Sequence, residues 1–152
     1  KYFGAEVTAV CSSKNVDFVK SLGAHKVIDY NKEDFSESEE KWDVIVDIVV
    51  KKTSFKKYKN SLNPNGYYLA IAGGITDMLQ MLKTSFIGSK KVKFGGGESC
   101  EKRSNLDFIS SLLQETKIIP VVDKVFPFEE MVEAHRYAES GSKKGNIAIT
   151  IQ

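Results

Sequence analysis

The run WDVIVDIVV, Trp42 to Val50, constrains the fold more than any other stretch of the chain. Apolar and β-branched residues follow one another with few breaks, the pattern of a central parallel strand covered on both faces. It falls well short of the ~20 residues that a membrane-spanning helix needs. A strand of that kind needs partners, and the sequence supplies them at intervals. Glu6 to Asn15 (EVTAVCSSKN) carries Val7, Ala9, Val10 and Cys11 before stopping at two serines and a lysine. Lys26 to Tyr30 (KVIDY), Tyr67 to Ala72 and Lys91 to Phe94 are further short strand patterns.

Helical spacing fills the intervals. Val16, Val19 and Leu22 recur on one helix face that Gly23 ends, and one helical turn is read near Lys32 to Phe35. Phe55, Tyr58 and Leu62 share another face, which the turn signal NPNG, Asn63 to Gly66, is expected to stop. Thr76 to Phe86 reads as a helix whose Met78, Leu79, Met81 and Leu82 are expected to fill gaps in the core. Glu101 to Lys117 is the strongest helix pattern, with Leu106, Ile109, Leu112 and Leu113 on one face. From about Ile118 the rhythm changes. IIPVVDKVFPF is extended, Pro127 with Glu129 and Glu130 opens a helix through Met131, Ala134, Tyr137 and Ala138, and NIAITI makes a last strand after a turn at Gly141 to Gly145. Strands alternating with helices give an α/β chain with a parallel, doubly wound sheet and a C-terminal strand-helix-strand tail.

Bulk properties narrow the function classes. With 152 residues, 41% of them hydrophobic, the chain can bury a real core. A net charge of +2 with mixed signs argues against nucleic acid as a partner. Lys51, Lys52, Lys56, Lys57 and Lys59 form a local basic run, more often a solvated helix face than a phosphate-tracking groove. Cys11 and Cys100 lack metal-ligand spacing and cannot build a disulfide framework, which points to a reducing, cytoplasmic setting. No signal-peptide pattern or long apolar run suggests a membrane partner. Lys1 to Phe3 read as the last turn of a helix stopped by Gly4, so the chain is expected to begin inside an element, as a fragment.

The residues beyond Cys11 carry the chemical signal. In dinucleotide-binding sheets the residue after the second strand lies beside the adenosine ribose, and an acid there holds the 2′-hydroxyl of NAD. Here Ser12, Ser13 and Lys14 offer hydroxyls and a cation, which suit the 2′-phosphate of NADP because a dianion needs charge-assisted donors. The competing reading is an ordinary strand followed by an ordinary polar loop.

VTAVCSSKN, SLGAHKVIDYNKEDF, KWDVIVDIV, SLNPNGYYL and EEMVEAHRYAESGSKKGNIAITI, in that order along the whole chain, resemble the medium-chain dehydrogenase/reductases. The nearest subgroup is the NADPH:quinone oxidoreductase-like one, often labelled zinc-binding dehydrogenase. The resemblance implies a Rossmann-like cofactor domain, partial and spanning residues 1–117, and a tail, 118–152, that in relatives returns to the catalytic domain. It implies that Ser12, Ser13 and Lys14 grip the adenosine 2′-phosphate and that Tyr30 lies near the same phosphate and the adenine. It also implies that Gly73 and the Gly95 to Gly97 run, with Gly95 and Gly96 foremost, bring backbone close to the ribose and nicotinamide, and that Lys144 approaches the cofactor. The implied activity is hydride transfer from NADPH to a quinone or an activated double bond of a small-molecule substrate, with the fragment alone inactive.

Two departures from the family pattern stand out. The glycine fingerprint that binds the pyrophosphate lies, in relatives, upstream of Lys1, together with the first strand of the sheet. Val49 and Val50 stand where relatives often carry glycine. In the order 3-2-1-4-5-6 the missing strand is a central one, so Val7 to Val10 and Val44 to Ile48 are expected to pair directly, to pair with another copy, or to take a strand from the parent protein. Exposed edges of that kind would favour a homo-oligomer.

No catalytic residue is assigned. His25 and His135 sit in no ligand-spaced cluster and read as turn and packing residues, and no zinc site is expected. Asp43 and Asp47 share a strand face without an evident cleft. Two other classes compete: a non-catalytic nucleotide-binding or structural module of the same fold, and a methyltransferase, against which the absence of an acid at Ser12 to Lys14 speaks.

Overall fold

The computed structural model describes residues 1–49, 54–71, 74–94 and 102–151. The chain divides into two compact units, Lys1–Cys100 and Glu101–Gln152.

The first unit contains β1 (Thr8–Cys11), α1 (Val16–Ser21), β2 (Lys26–Asp29), β3 (Trp42–Asp47), α2 (Phe55–Tyr58), β4 (Leu62–Ala70), α3 (Ile75–Phe86) and β5 (Lys91–Phe94). All its strand pairs are parallel, as alternating β-branched strands and amphipathic helices require. They form two sheets, β1-β2 and β3-β4-β5. The direct pairing of Val7 to Val10 with Val44 to Ile48 is not found: among the described residues β1 bonds only to β2, and β3 only to β4.

This corrects the reading of Trp42 to Val50 as a strand buried on both faces. Among the described residues β3 ends at Asp47 and is an edge strand, with Val44 47% and Val46 56% exposed. Among the described residues no strand pairs with its free side. Val50 lies outside the described residues.

The core of this unit is Phe55, Tyr58, Leu62, Tyr68, Ala70 and Val92, with Phe35, Ile45 and Met81 against it. Phe35 stacks on Tyr58 with ring centroids 4.7 Å apart and meets Trp42 edge-on at 5.4 Å, both favourable quadrupole geometries. The Phe55/Tyr58/Leu62 face is therefore buried as expected, although Leu62 already opens β4. NPNG does not end an element. β4 runs through it, and the ladder jumps from Trp42↔Leu62 to Val44↔Tyr67, so Asn63 to Gly66 bulge out of an otherwise regular pairing. Asn65 takes the left-handed conformation there, φ +65°, which Asn tolerates better than most residues. Of the expected core of α3 only Met81 packs inward; Met78, Leu79 and Leu82 are more than half exposed.

The second unit holds α4 (Arg103–Gln114), β6 (Val122–Pro127), α5 (Met131–Glu139) and β7 (Asn146–Thr150). β6 and β7 pair in parallel across the α5 crossover. Asp123 clamps this unit: one of its oxygens accepts from Tyr137 Oη at 2.8 Å and from the Lys144 amide at 2.9 Å. Lys124 Nζ lies 4.0 Å from the Tyr137 ring centroid, a cation–π contact. Of the α4 stripe Leu112 is buried, whereas Leu106, Ile109 and Leu113 are exposed.

Candidate functional site

The candidate site is built by the register of β1 and β2. Cys11 lies opposite Asp29, so both strands finish at the same level, and Tyr30 N donates to Cys11 O at 3.0 Å. Ser12 is still extended, φ −78° and ψ 157°, and the chain then coils through a 3-10 turn, Ser13–Asn15, into α1. This brings Ser12 to Lys14 beside Tyr30 and Asn31: Asn31 Nδ2 donates to Ser13 Oγ at 3.2 Å. The loop and the β2 terminus therefore form one hydrogen-bonded edge at the carboxyl ends of parallel strands, where open α/β sheets hold ligands.

Its electrostatics follow from which groups are already engaged. Asp29 is 7% exposed, accepts from the Asn31 amide at 3.0 Å, and has Lys32 Nζ 3.9 Å from Oδ2. The Ser13 hydroxyl foremost, then the Asn31 amide and Lys32, hold its carboxyl below the usual range against the opposing effect of burial. It stays ionised, although its Oδ2 is buried without a hydrogen-bond partner among the described residues. Burial, and then the Asp29 charge, push the Cys11 thiol up, so it is no ready nucleophile. Lys14, by contrast, forms no ion pair among the described residues, and the Tyr30 ring is 60% exposed. Asn15 Oδ1 is buried without a hydrogen-bond donor among the described residues. A ligand bringing an anion and a flat ring fits this inventory: ammonium and hydroxyls for the first, Tyr30 for the second.

Sequence reasoning missed Asn15, Asp29 and Asn31. The signal for the last two was local, an Asp followed two residues on by an Asn whose amide it caps, an Asx turn. Gly73, Gly95 and Gly96 lie outside the described residues. Lys144 belongs to the second unit, where Asp123 holds its amide. His25 is a structural residue, its Nδ1 accepting from Val7 N at 2.9 Å and so leading the chain into β1. Asp43 accepts from Asn63 Nδ2 at 2.8 Å, and Asp47 accepts from Tyr68 Oη and from Val49 N. Among the described residues no three His, Cys, Asp or Glu side chains converge on a metal position, and no helix is long and apolar enough to cross a membrane.

A family model described as zinc-binding dehydrogenase matches residues 22–149. The chain is 34% identical over 180 residues to the mitochondrial NAD(P)H oxidoreductase RTN4IP1 of Bos taurus, covering 99% of this chain and 43% of that protein. It is 30% identical over 153 residues to a chloroplast envelope quinone oxidoreductase homolog of Arabidopsis thaliana, covering 98% and 46%. The solved structure of the quinone oxidoreductase from Coxiella burnetii superposes with a TM-score of 0.76 at 22% identity, over 98% of this chain and 46% of that one. The fold is thus shared, and the chain spans less than half the length of these relatives.

Proposed function

Because the chain belongs to the zinc-binding dehydrogenase family, we propose that it is the cofactor-binding part of an NADPH-dependent oxidoreductase acting on a quinone or an activated double bond. The observation that carries this reading is the edge where Ser12 to Lys14 meet Tyr30, with an ammonium that has no ion pair among the described residues. The names of the relatives, a quinone oxidoreductase homolog and an NAD(P)H oxidoreductase, agree with it.

When bound, NADPH supplies the hydride. The residues of this chain bind and orient it. Ser12 and Ser13 donate to the 2′-phosphate, Lys14 supplies a charge, and Tyr30 lies against the adenine. Gly73, Gly95, Gly96 and Lys144 belong to the same proposal, at the ribose and nicotinamide. So do the division into residues 1–117 and 118–152 and a cytoplasmic location. No acid, base or nucleophile of this chain is assigned to the reaction, so acceleration comes from holding the reactants together.

The test is titration of NADPH and NADH into the protein carrying this chain and its Lys14→Glu variant. Replacing a phosphate partner with a repelling charge should weaken NADPH by roughly 10-fold or more, as expected for a charge-assisted bond, and leave NADH within about 2-fold. Equal losses for both cofactors would remove the phosphate-gripping role. Selective NADPH binding without turnover of any quinone or enone would leave a non-catalytic nucleotide-binding module.

A further inference from the structure

A second charged feature lies at the other end of the β3-β4-β5 sheet. The 3-10 turn Lys59–Ser61 leads into the start of β4, and the segment after α3 leads into the start of β5 at Lys91. Between α2, this turn and the end of α3 is a groove of about 480 Å³, within the range of small-molecule sites. Ile87, 67% exposed, gives it apolar surface, the core residue Phe55 lies at its base, and Lys56, Lys59, Lys83 and Lys90 line it; among the described residues no carboxylate does.

Lysines on a surface are ordinarily solvated or ion-paired, and the basic run singled out in the sequence divides along that line. Lys57 turns to Asp34, 2.6 Å away. Lys56 and Lys59, three residues apart, line the groove, and none of its four lysines has an ion pair among the described residues.

The walls are fixed. Lys90 Nζ donates to Lys59 O at 2.7 Å, tying the loop before β5 to the turn before β4. Lys91 Nζ donates to Thr84 O at 2.7 Å, and Thr84 Oγ1 accepts from Val92 N at 3.1 Å, tying the end of α3 to β5. The C-terminal dipole of α3, worth about half a negative charge, is met by the Lys91 ammonium and is small beside four whole positive charges. Like charges gathered without counter-ions repel, and a multivalent anion relieves that repulsion.

We propose that this groove binds a soluble, multiply charged phosphate compound of nucleotide size, its phosphates on the lysines and its apolar part against Ile87. The site is separate from the carboxyl ends of β1 and β2 and does not depend on the cofactor reading.

The experiment uses inorganic tripolyphosphate as probe, titrated calorimetrically into the whole chain at fixed ionic strength. Three variants accompany it: Lys56→Gln with Lys83→Gln in the groove, Lys20→Gln with Lys117→Gln elsewhere at equal net charge, and Lys14→Gln. Tripolyphosphate should bind more tightly than orthophosphate and raise the melting temperature. The groove variant should lose roughly 10-fold in affinity or more, and the Lys20/Lys117 variant should stay within about 2-fold of the unsubstituted chain, while Lys14→Gln tells whether the Ser12 to Lys14 loop holds the probe instead. Circular dichroism confirms that each variant is folded, so folding and binding are read separately. Undetectable binding, or an equal loss in the Lys20/Lys117 or Lys14 variants, would overturn the proposal.

Discussion

Asp34 shows how a single residue couples pH to this fold. Its carboxyl is lowered to about 2, first by the hydrogen bond from Lys57 and then by the Ser36 hydroxyl, and so it joins the segment after β2 to α2. A carboxyl whose folded pKa lies below its unfolded value of ~3.9 contributes stability above that value and loses it as the pH falls toward the folded one. The side chain is 37% exposed, so solvent screening limits the contribution to roughly 0.5 kcal/mol. Asp34→Asn should therefore lower the melting temperature slightly at neutral pH and flatten the acid limb between about pH 4 and pH 2, the variant converging on the unsubstituted chain at the acid end. Tyr68 makes a sharper case: it is 1% exposed and its hydroxyl donates to Asp47. Tyr68→Phe should cost about 1–3 kcal/mol in urea denaturation, because the half-buried carboxylate loses its donor. At this scale the sequence exposed Ser12 to Lys14 and Tyr30, whose chemistry is written in their residue types. It did not show that Asn31 meets Ser13, a contact that arises only because β1 and β2 end level.

At the scale of elements, strands and crossovers were legible because apolar periodicity and stop residues are local. β2, β5 and the helix α3 lie within a residue of where spacing puts them, whereas β6 begins at Val122, four residues into the stretch read as extended, and a 3-10 turn, Phe128–Glu130, precedes α5. NPNG was misread because turn propensity does not say whether a turn closes an element or bulges from one; the β3 ladder on both sides of it decides that. Gly66 is needed at this bulge. A Cβ there would stand 3.0 Å from Asn63 O and 3.1 Å from Asp43 O, both backbone atoms, so Gly66→Ala should cost about 1–3 kcal/mol by chemical denaturation. Gly145 is tighter still, with a Cβ 2.6 Å from Val121 O. Gly145→Ala should part the entry to the β6–β7 pair, visible as faster amide exchange at Asn146, whose N–H donates to Val121 O at 2.7 Å.

For the whole molecule, the interrupted sheet matters most. Burial of β3 could not be read from its own residues, since it depends on a neighbour that the described residues do not supply. The free edges of β1 and β3, with Val10, Val44 and Val46 substantially exposed, are the kind that recruit another strand. Val46→Lys should reduce any concentration-dependent self-association seen by light scattering while leaving the circular dichroism spectrum intact. The two-stranded β1-β2 sheet has a further consequence. A pair this small is close to marginal by itself, and the loop Ser12 to Lys14 hangs from its end. Any dinucleotide must then find that pair closed, and its apparent affinity is the intrinsic one multiplied by the closed fraction. Affinity for the adenosine end would serve as a gauge of local folding: cooling, osmolytes or a strand supplied along β1 would tighten binding without touching one contact to the ligand.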